Sequence, residues 1–347
     1  MVYTMSRYNQ HEEYLRKVLM GSLSSENPSK ETYLKHYKNS NSYFNQYKIE
    51  LLERYKDKSF TDFKGVHTID NDYGQALEIV NSKKINFNLK DNEVERDLIN
   101  DLKLVSGIGN KKEIALKDKG YDNLYKLQNH PKYSKKVGSL IDTINNQDFP
   151  DYFRLMKKSK EHNTMMCAGK VDVENLRFMD IETLGLKNVP IILIGIAYIE
   201  NNKLISKQYL QRNGQEESSI IEAYISNLDD DSVHVTYNGA RFDIPFVKNR
   251  ADYFGIKYDK HLHYDLLYFA RKLYRERLEN CRLQTVESYI CGFERFNDVP
   301  GQFIPEYYKT YVDSQNIGPL VPIIRHNRLD IISLVDIFMR IYNDINF

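Results

Sequence analysis

Phe178-Met179-Asp180-Ile181-Glu182-Thr183 decides how this 347-residue chain is read. It lies in an apolar strand predicted from Leu176 to Ile181. Side chains two apart on a strand share a face, so Asp180 and Glu182 project together while Met179 and Ile181 face the other way. Adjacent carboxylates repel, and they are tolerable where a divalent cation neutralises them. Working outward, Ile191–Ile199 and Leu204–Tyr209 read as a hairpin turning at Glu200-Asn201-Asn202. A helix over Ser218–Ser226, a strand over Val233–Tyr237 and a helix over Ile244–Tyr253 follow. A short strand at Leu262–Tyr264 leads into a helix over Leu266–Tyr274 and further helices, the last from about Pro322 to Tyr342. Three strands, a helix, then alternating strand and helix predict an α/β fold, a mixed sheet flanked by helices with a smaller, mainly helical N-terminal region.

Two other carboxylate sites stand out. In Tyr237-Asn238-Gly239-Ala240-Arg241-Phe242-Asp243-Ile244-Pro245-Phe246 a strand ends at Tyr237, Asn238-Gly239 turns, and Asp243 opens a helix. The ordinary role of Asp243 there is an N-cap, yet the C-terminal end of a strand is also where open α/β sheets place ligands. In His326-Asn327-Arg328-Leu329-Asp330 the residues at i and i+4 share a helix face, so His326 and Asp330 line up one turn apart. Each piece alone has a structural reading; the three in this order do not share one.

Phe178–Thr183, Asn238–Pro245 and His326–Asp330 resemble the three exonuclease motifs of the DEDD superfamily of 3′–5′ exonucleases. The Asn-Gly-x-x-Phe-Asp-x-Pro form also resembles the proofreading domain of family-B DNA polymerases. With His263-Tyr264-Asp265-Leu266-Leu267, Leu283 to Tyr289, Asp298-Val299-Pro300-Gly301 and Pro305-Glu306, the chain is more similar to the YprB-type ribonuclease-H-like family. The resemblance covers residues 171–347, and more loosely the Gly65–Gly74 hairpin and Gly107-Ile108-Gly109.

It implies a ribonuclease-H-like fold in which Asp180, Glu182, Asp243 and Asp330 hold two divalent cations, Mg²⁺ or Mn²⁺. Such a pair, about 3.5–4 Å apart, generates a hydroxide and stabilises the leaving oxygen of an in-line phosphodiester displacement. His326 would act as general base or orient the attacking water. The superfamily's histidine subtype usually spaces His five before Asp, whereas here it is four, the spacing of the tyrosine subtype. Thr183, Leu184, Asn238 and Phe242 would contact the terminal nucleotide or line its cleft, with core packing the alternative for Leu184 and Phe242. Asp265 reads as the N-cap of the helix from Leu266, and His263 as structural.

Composition sets the remaining limits. Lys and Arg number 49 against 48 Asp and Glu, a net charge of +1, and 41% of residues are hydrophobic, which excludes a disordered chain. No apolar run reaches the roughly 18 residues of a membrane helix, and Met1 to Gln10 lacks the apolar stretch of a signal peptide. Three scattered cysteines (Cys167, Cys281, Cys291) suit a reducing cytoplasm. Resolved along the chain, the charge is uneven. Residues 1–100 carry 15 basic and 15 acidic residues, residues 101–170 carry 14 and 8, and residues 171–347 carry 20 and 25. A basic middle beside an acidic half is what a nucleic-acid clamp next to a metal-dependent carboxylate site would look like, with ordinary solvated surface charge the alternative.

Domains follow from these shifts: an N-terminal helical segment with a β-hairpin over 1–90, a nucleic-acid-binding module over 91–150, a Lys-rich linker over 151–170 and the nuclease domain over 171–347. Within the module, Leu102 to Glu113 reads as a helix–hairpin–helix: a helix ending near Val105, a turn at Gly107-Ile108-Gly109, and a second helix capped by Asn110 and stopped by Gly120. Gly107 and Gly109 let backbone N–H groups approach a phosphate, and Lys111 and Lys112 add charge; a purely structural hairpin is the alternative. The stretch Arg271-Lys272-Leu273-Tyr274-Arg275-Glu276-Arg277 mixes basic and aromatic residues, as a backbone track or an ordinary solvated helix face would. The expectation is a cytoplasmic, metal-dependent 3′–5′ exonuclease acting on single-stranded or end-containing nucleic acid, DNA before RNA. A ribonuclease, a structure-specific endonuclease on the same site, and a non-catalytic nucleic-acid adaptor are the alternatives.

Overall fold

The computed structural model describes residues 30–90, 94–158 and 164–346, with side chains from residue 42. Of the polar, Tyr-rich segment 1–60, Lys30–Arg54 (α1) is helical, and residues 1–29 lie outside the described residues. The chain continues through strands β1 (Val66–Asn71) and β2 (Gly74–Lys84) and helices α2 (Val94–Asn100), α3 (Asn110–Lys117), α4 (Leu124–Leu127), α5 (Ser134–Asn145) and α6 (Phe149–Lys158). Then come β3 (Leu176–Thr183), β4 (Ile191–Glu200), β5 (Lys203–Leu210), α7 (Glu217–Ile225), β6 (Val233–Thr236), α8 (Asp243–Phe254) and β7 (Leu262–Asp265). Helices α9 (Leu266–Tyr274), α10 (Leu283–Cys291), α11 (Ile304–Ser314) and α12 (Leu320–Asn346) close the chain. Among the described residues no helix is long and apolar enough to cross a membrane.

One mixed sheet of seven strands runs in the order β1-β2-β5-β4-β3-β6-β7. The pairs β1–β2, β2–β5, β5–β4 and β4–β3 are antiparallel, whereas β3–β6 and β6–β7 are parallel. The β4–β5 turn is local chemistry: Asn201 and Asn202 sit at φ 49° and 59°, and two left-handed residues between strands form the type I′ turn that matches strand twist. The hairpin expected in a separate N-terminal segment instead joins this sheet. β2 pairs with β5 from Leu77↔Leu210 to Lys84↔Lys203, so residues 66–84 shield what would otherwise be the exposed edge of β5. A hairpin is a local feature, but the further partner of its second strand is decided at long range.

The period of two divides the core. From β3, Met179 and Ile181 enter a cluster with Ile220, Tyr224, Phe246 and Val247 of α7 and α8. Phe178 faces the other side, where α12 lies across β3 and β4. There Phe338 stacks edge-on to Phe178 and Tyr264, with ring centroids 5.9 and 5.4 Å apart. Asp180 and Glu182, two and four residues after Phe178, therefore lie under α12.

The middle module packs into that same core through Leu98, Leu102, Val105, Leu124, Val137 and Ile141. Its expected hairpin differs in detail. The first helix ends at Asn100, and Asp101 caps a separate 3₁₀ turn over Leu102–Leu104. Gly109, not Asn110, occupies the cap of α3, and Asn110 is the first helical residue. Gly107 at φ 97° and Gly120 at φ 87° make the left-handed turns on either side, as glycine allows.

Candidate active site

Three elements converge. β3 supplies Asp180 and Glu182, the start of α8 supplies Asp243, and α12 supplies His326, Asn327 and Asp330. Asp243 is not the cap expected from sequence: Phe242 stands at that position and Asp243 is the first helical residue. This frees its side chain, and Oδ1 accepts a hydrogen bond of 3.2 Å from the backbone N–H of Ile181, between the two strand carboxylates. His326 Nε2 lies 3.5 Å from Asp330 Oδ2 and 3.9 Å from Glu182 Oε1. Glu182, His326 and Asp330 bring one ligand atom each within 4.8 Å of one another and can hold a metal ion.

Asp180 is fixed by residues that carry no signal of their own. Asn327, fully buried, donates from Nδ2 to Asp180 Oδ2 at 2.9 Å and to the Asp180 carbonyl at 3.0 Å. Its Oδ1 accepts from Gln208 Nε2 at 2.9 Å, and the same nitrogen reaches the Ile324 carbonyl at 2.8 Å. Gly195 lies between Asp180 and Gln208 in the strand register, and a Cβ there would collide with the Asn327 amide. The absence of a side chain at 195 is what lets α12 approach β3 closely enough to hold its carboxylate.

A segment after α10 completes the cluster. Asp298 Oδ1 lies 2.8 Å from His326 Nδ1, which turns Nε2 toward Glu182 and Asp330. Gln284 in turn donates to Asp298 Oδ2 at 3.0 Å. The side chain of Arg295, only 4% exposed, pairs with Glu287 at 2.7 Å, Asp298 at 3.2 Å and Asp330 at 2.5 Å. The contact with Asp330 is an ion pair without hydrogen-bond alignment, and Asp330 Oδ1, Glu182 Oε1 and Arg295 Nη2 are buried without a hydrogen-bond partner. Asp298 belongs to the Asp298–Gly301 segment that carries part of the family resemblance, whereas Arg295, Gln208 and Gly195 have no local pattern that marks them.

Asp265 caps α9 through Leu267 N–H and also accepts from the N–H groups of Asn238 (2.8 Å) and Ala240 (3.2 Å), so it holds the turn that precedes Asp243. Asn238 takes φ 67° in that turn. Thr183 donates to the Gly185 carbonyl, Leu184 packs on the cluster containing Val299 and Phe303, and the Phe242 ring lies 5.3 Å from that of Phe246. His263 bonds Thr236 at 2.8 Å, a structural role as expected. Lys112 Nζ donates to the Gly107 carbonyl at 2.8 Å, and among the described residues no hydrogen bond or ion pair joins Gly107, Gly109, Lys111 or Lys112 to the carboxylates.

Electrostatics record the crowding. Burial, then Asp330, Glu182 and Asp243, push the Asp180 carboxyl well above its ordinary range. Burial raises Glu182 to about 8 despite His326, and raises Asp243 to about 7 despite its backbone hydrogen bonds. For His326 burial acts downward, but Asp330, the bond to Asp298 and Glu182 outweigh it and raise the imidazole to about 10. Carboxylates that resist ionisation, with buried oxygens on Glu182 and Asp330 that receive no hydrogen bond, are a donor set suited to a hard divalent cation.

Residues 177–342 match the RNase_H_2 model of the RNase_H superfamily. An uncharacterized protein of Bacillus subtilis (strain 168), YprB, is 30% identical over 198 residues, 55% of this chain and 48% of the relative. The chain thus spans about half the length of the curated relative it matches. Among solved structures, the family B DNA polymerase of the hyperthermophilic archaeon Pyrobaculum calidifontis aligns with a TM-score of 0.37 and 17% identity, over 46% of this chain and 23% of that one.

Two outcomes are expected. Gly195→Ala should cost about 1–3 kcal/mol in urea unfolding and weaken Mn²⁺ binding, because Asn327 must move. Gly301→Ala, where a Cβ meets open space, should stay within about 0.5 kcal/mol; equal costs would remove the clamp. Second, the raised carboxylates mean that the cation-free folded state binds more protons than the unfolded chain between about pH 4 and pH 8, so its stability should fall as pH rises through that window. His326 adds to the loss between its ordinary 6.5 and about 10. Melting in EDTA should therefore give a lower Tm at about pH 8 than at about pH 5.5, and Mn²⁺ should raise Tm more at the higher pH. A flat or rising Tm, or no response to Mn²⁺, would refute the cation reading.

Proposed function

We propose, from the match of residues 177–342 to the RNase_H superfamily model and from the geometry of the site, that the chain is a metal-dependent nuclease, and specifically a 3′–5′ exonuclease of the DEDD type acting on DNA. The observation that carries this reading is the convergence of Asp180, Glu182, Asp243 and Asp330 from three separated segments around His326, with buried oxygens of Glu182 and Asp330 receiving no hydrogen bond. The four carboxylates would hold two divalent cations, Mg²⁺ or Mn²⁺. When bound, these supply an activated water and stabilise the leaving oxygen of a phosphodiester.

The chain's own residues do the rest. Asn327 and Gln208 orient Asp180, Arg295 holds Asp330, and Asp298 commits His326 Nδ1 so that Nε2 faces the site. In the cation-free protein the surplus negative charge keeps Nε2 protonated, so His326 there donates; acceptance of a proton from water requires that field to be neutralised. Thr183, Leu184, Asn238 and Phe242 border the carboxylates in sequence and would meet the terminal nucleotide. The Gly107–Lys112 turn would contact phosphate backbone. Its cap residue, Gly109, has no side chain to occupy the first N–H groups of α3. Three free cysteines support a cytoplasmic setting.

Purified protein with 3′- or 5′-labelled DNA and RNA strands should shorten DNA stepwise from the 3′ end with Mn²⁺ or Mg²⁺ and not with EDTA. Asp180→Asn should cost more than about 100-fold, the upper scale for outer-sphere partners of metal sites. No cleavage of any strand would refute the nuclease, loss from the 5′ end only the polarity, and cleavage of RNA alone the substrate. For the turn, Lys111→Ala with Lys112→Ala should weaken DNA binding and make its salt dependence shallower by about 1–2 in log–log slope; unchanged affinity and slope would exclude it from the interface.

A further inference from the structure

The carboxylate cluster accounts for a terminal phosphodiester but not for the strand attached to it. The basic and aromatic stretch at Arg271–Arg277 was open to two readings, and its placement separates them. Helix α9 buries Leu266, Leu267, Phe269, Ala270 and Tyr274. Its exposed positions are Tyr268, Arg271, Lys272 and, at the cap, Arg275, spaced i, i+3, i+4 and i+7, so one stripe of the helix carries one aromatic ring and three cations. None of the three cations forms an ion pair among the described residues, not even Lys272 with Glu276 four positions on. In contrast, Lys126, Lys248 and Lys309 elsewhere on the surface each pair with an acidic residue at that spacing. Tyr268 is 64% exposed, an aromatic face left in water.

The stripe also starts at the site. The residue that caps α9 is Asp265, and the same carboxylate holds the Asn238–Ala240 turn leading to Asp243. One side chain therefore ties the N-terminal end of the stripe to the catalytic turn. The charge of Arg271 is felt at the Tyr237 hydroxyl, on the residue just before that turn. From there nine residues of helix span about 13 Å, and the far end is fixed where the Tyr274 hydroxyl donates to Asp344, on the part of α12 well beyond Asp330.

We propose that the exposed stripe Tyr268–Arg271–Lys272–Arg275 is the track along which the single-stranded part of a nucleic-acid substrate leaves the carboxylate site, its phosphates on the three cations and a base on the Tyr268 ring. This deepens the nuclease reading and rests on it. Unpaired cations at one-turn spacing recognise a phosphodiester backbone without reading sequence, and an exposed tyrosine adds stacking that a duplex, with its bases already stacked, does not use. The shared chemistry is that of a DNA or an RNA strand.

The test is fluorescence anisotropy in EDTA, which prevents cleavage, with oligothymidylate, oligouridylate and a duplex long enough to span site and helix. Wild-type protein is compared with the Arg271→Gln, Lys272→Gln, Arg275→Gln triple variant and with Tyr268→Ala, after their circular dichroism and Tm have been matched to wild type. The triple variant is expected to lose at least about tenfold in single-strand affinity and to make the log–log salt slope shallower by about 2, at 0.7 per phosphate contact. Tyr268→Ala should weaken single strands more than duplex, and the tighter-bound oligomer identifies the strand. Wild-type affinity and slope in the triple variant would overturn the track. So would binding of wild type, but not of the triple variant, to anionic phospholipid vesicles with no change on oligonucleotides. Turnover of a dinucleotide by wild type with Mn²⁺ tests the nuclease reading separately. Turnover with an unaltered triple variant sinks the track alone, and a wild type that neither binds nor cleaves nucleic acid sinks both.

Discussion

Mutual repulsion among carboxylates under one helix is the constraint around which this domain is arranged. Burial, with the charges of neighbouring carboxylates adding to it, holds protons on Asp180, Glu182 and Asp243 well above the ordinary carboxylate range. Left alone, such a group would drive β3 and α12 apart. The fold opposes this with three devices of different character: an amide clamp from Asn327, a buried guanidinium from Arg295, and an imidazole oriented by Asp298. Arg295 and His326 meet Asp330 Oδ1 and Glu182 Oε1 as ion pairs without a hydrogen bond, so two cations face four carboxyl groups and the cluster is held in place without being fully neutralised. That residual charge is the chemical capacity of the site.

Helix α12 carries both sides of this arrangement. Phe338, Ile341 and Tyr342 of its second half are buried in the large core with Phe178 and Tyr264. The first half offers His326, Asn327 and Asp330 to the strand carboxylates. A helix anchored by aromatic packing cannot easily retreat from charges that repel one of its turns, and interiors this closely packed transmit the resistance. Gly195 sets how near it comes, since any side chain there would occupy the place of the Asn327 amide.

Asp265 plays a comparable part at the third element. It caps α9 and holds the turn before Asp243, so the parallel strands β6 and β7, the start of α8 and the start of α9 share one carboxylate. Its sequence reading as a cap was correct and incomplete. A capping Asp can accept more than one backbone N–H, and only the approach of two strand ends shows which others it receives.

Local periodicity by itself determined a good deal. The i, i+2 spacing placed Asp180 and Glu182 on one face, the i, i+4 spacing paired His326 with Asp330, and Asn201-Asn202 set the turn between β4 and β5. These are properties of a strand, a helix and a turn whatever surrounds them. Tertiary structure alone decided that the Val66–Lys84 hairpin extends the main sheet, that Phe242 rather than Asp243 caps α8, and that Gly195, Gln208, Arg295 and Asp298 support the carboxylates. The physical reason is that a repeat of two or 3.6 residues states which way a side chain points, not what it meets. Partners separated by tens or hundreds of residues are chosen by packing, and a glycine whose importance is the space it leaves has no signature until the neighbour that fills that space is seen.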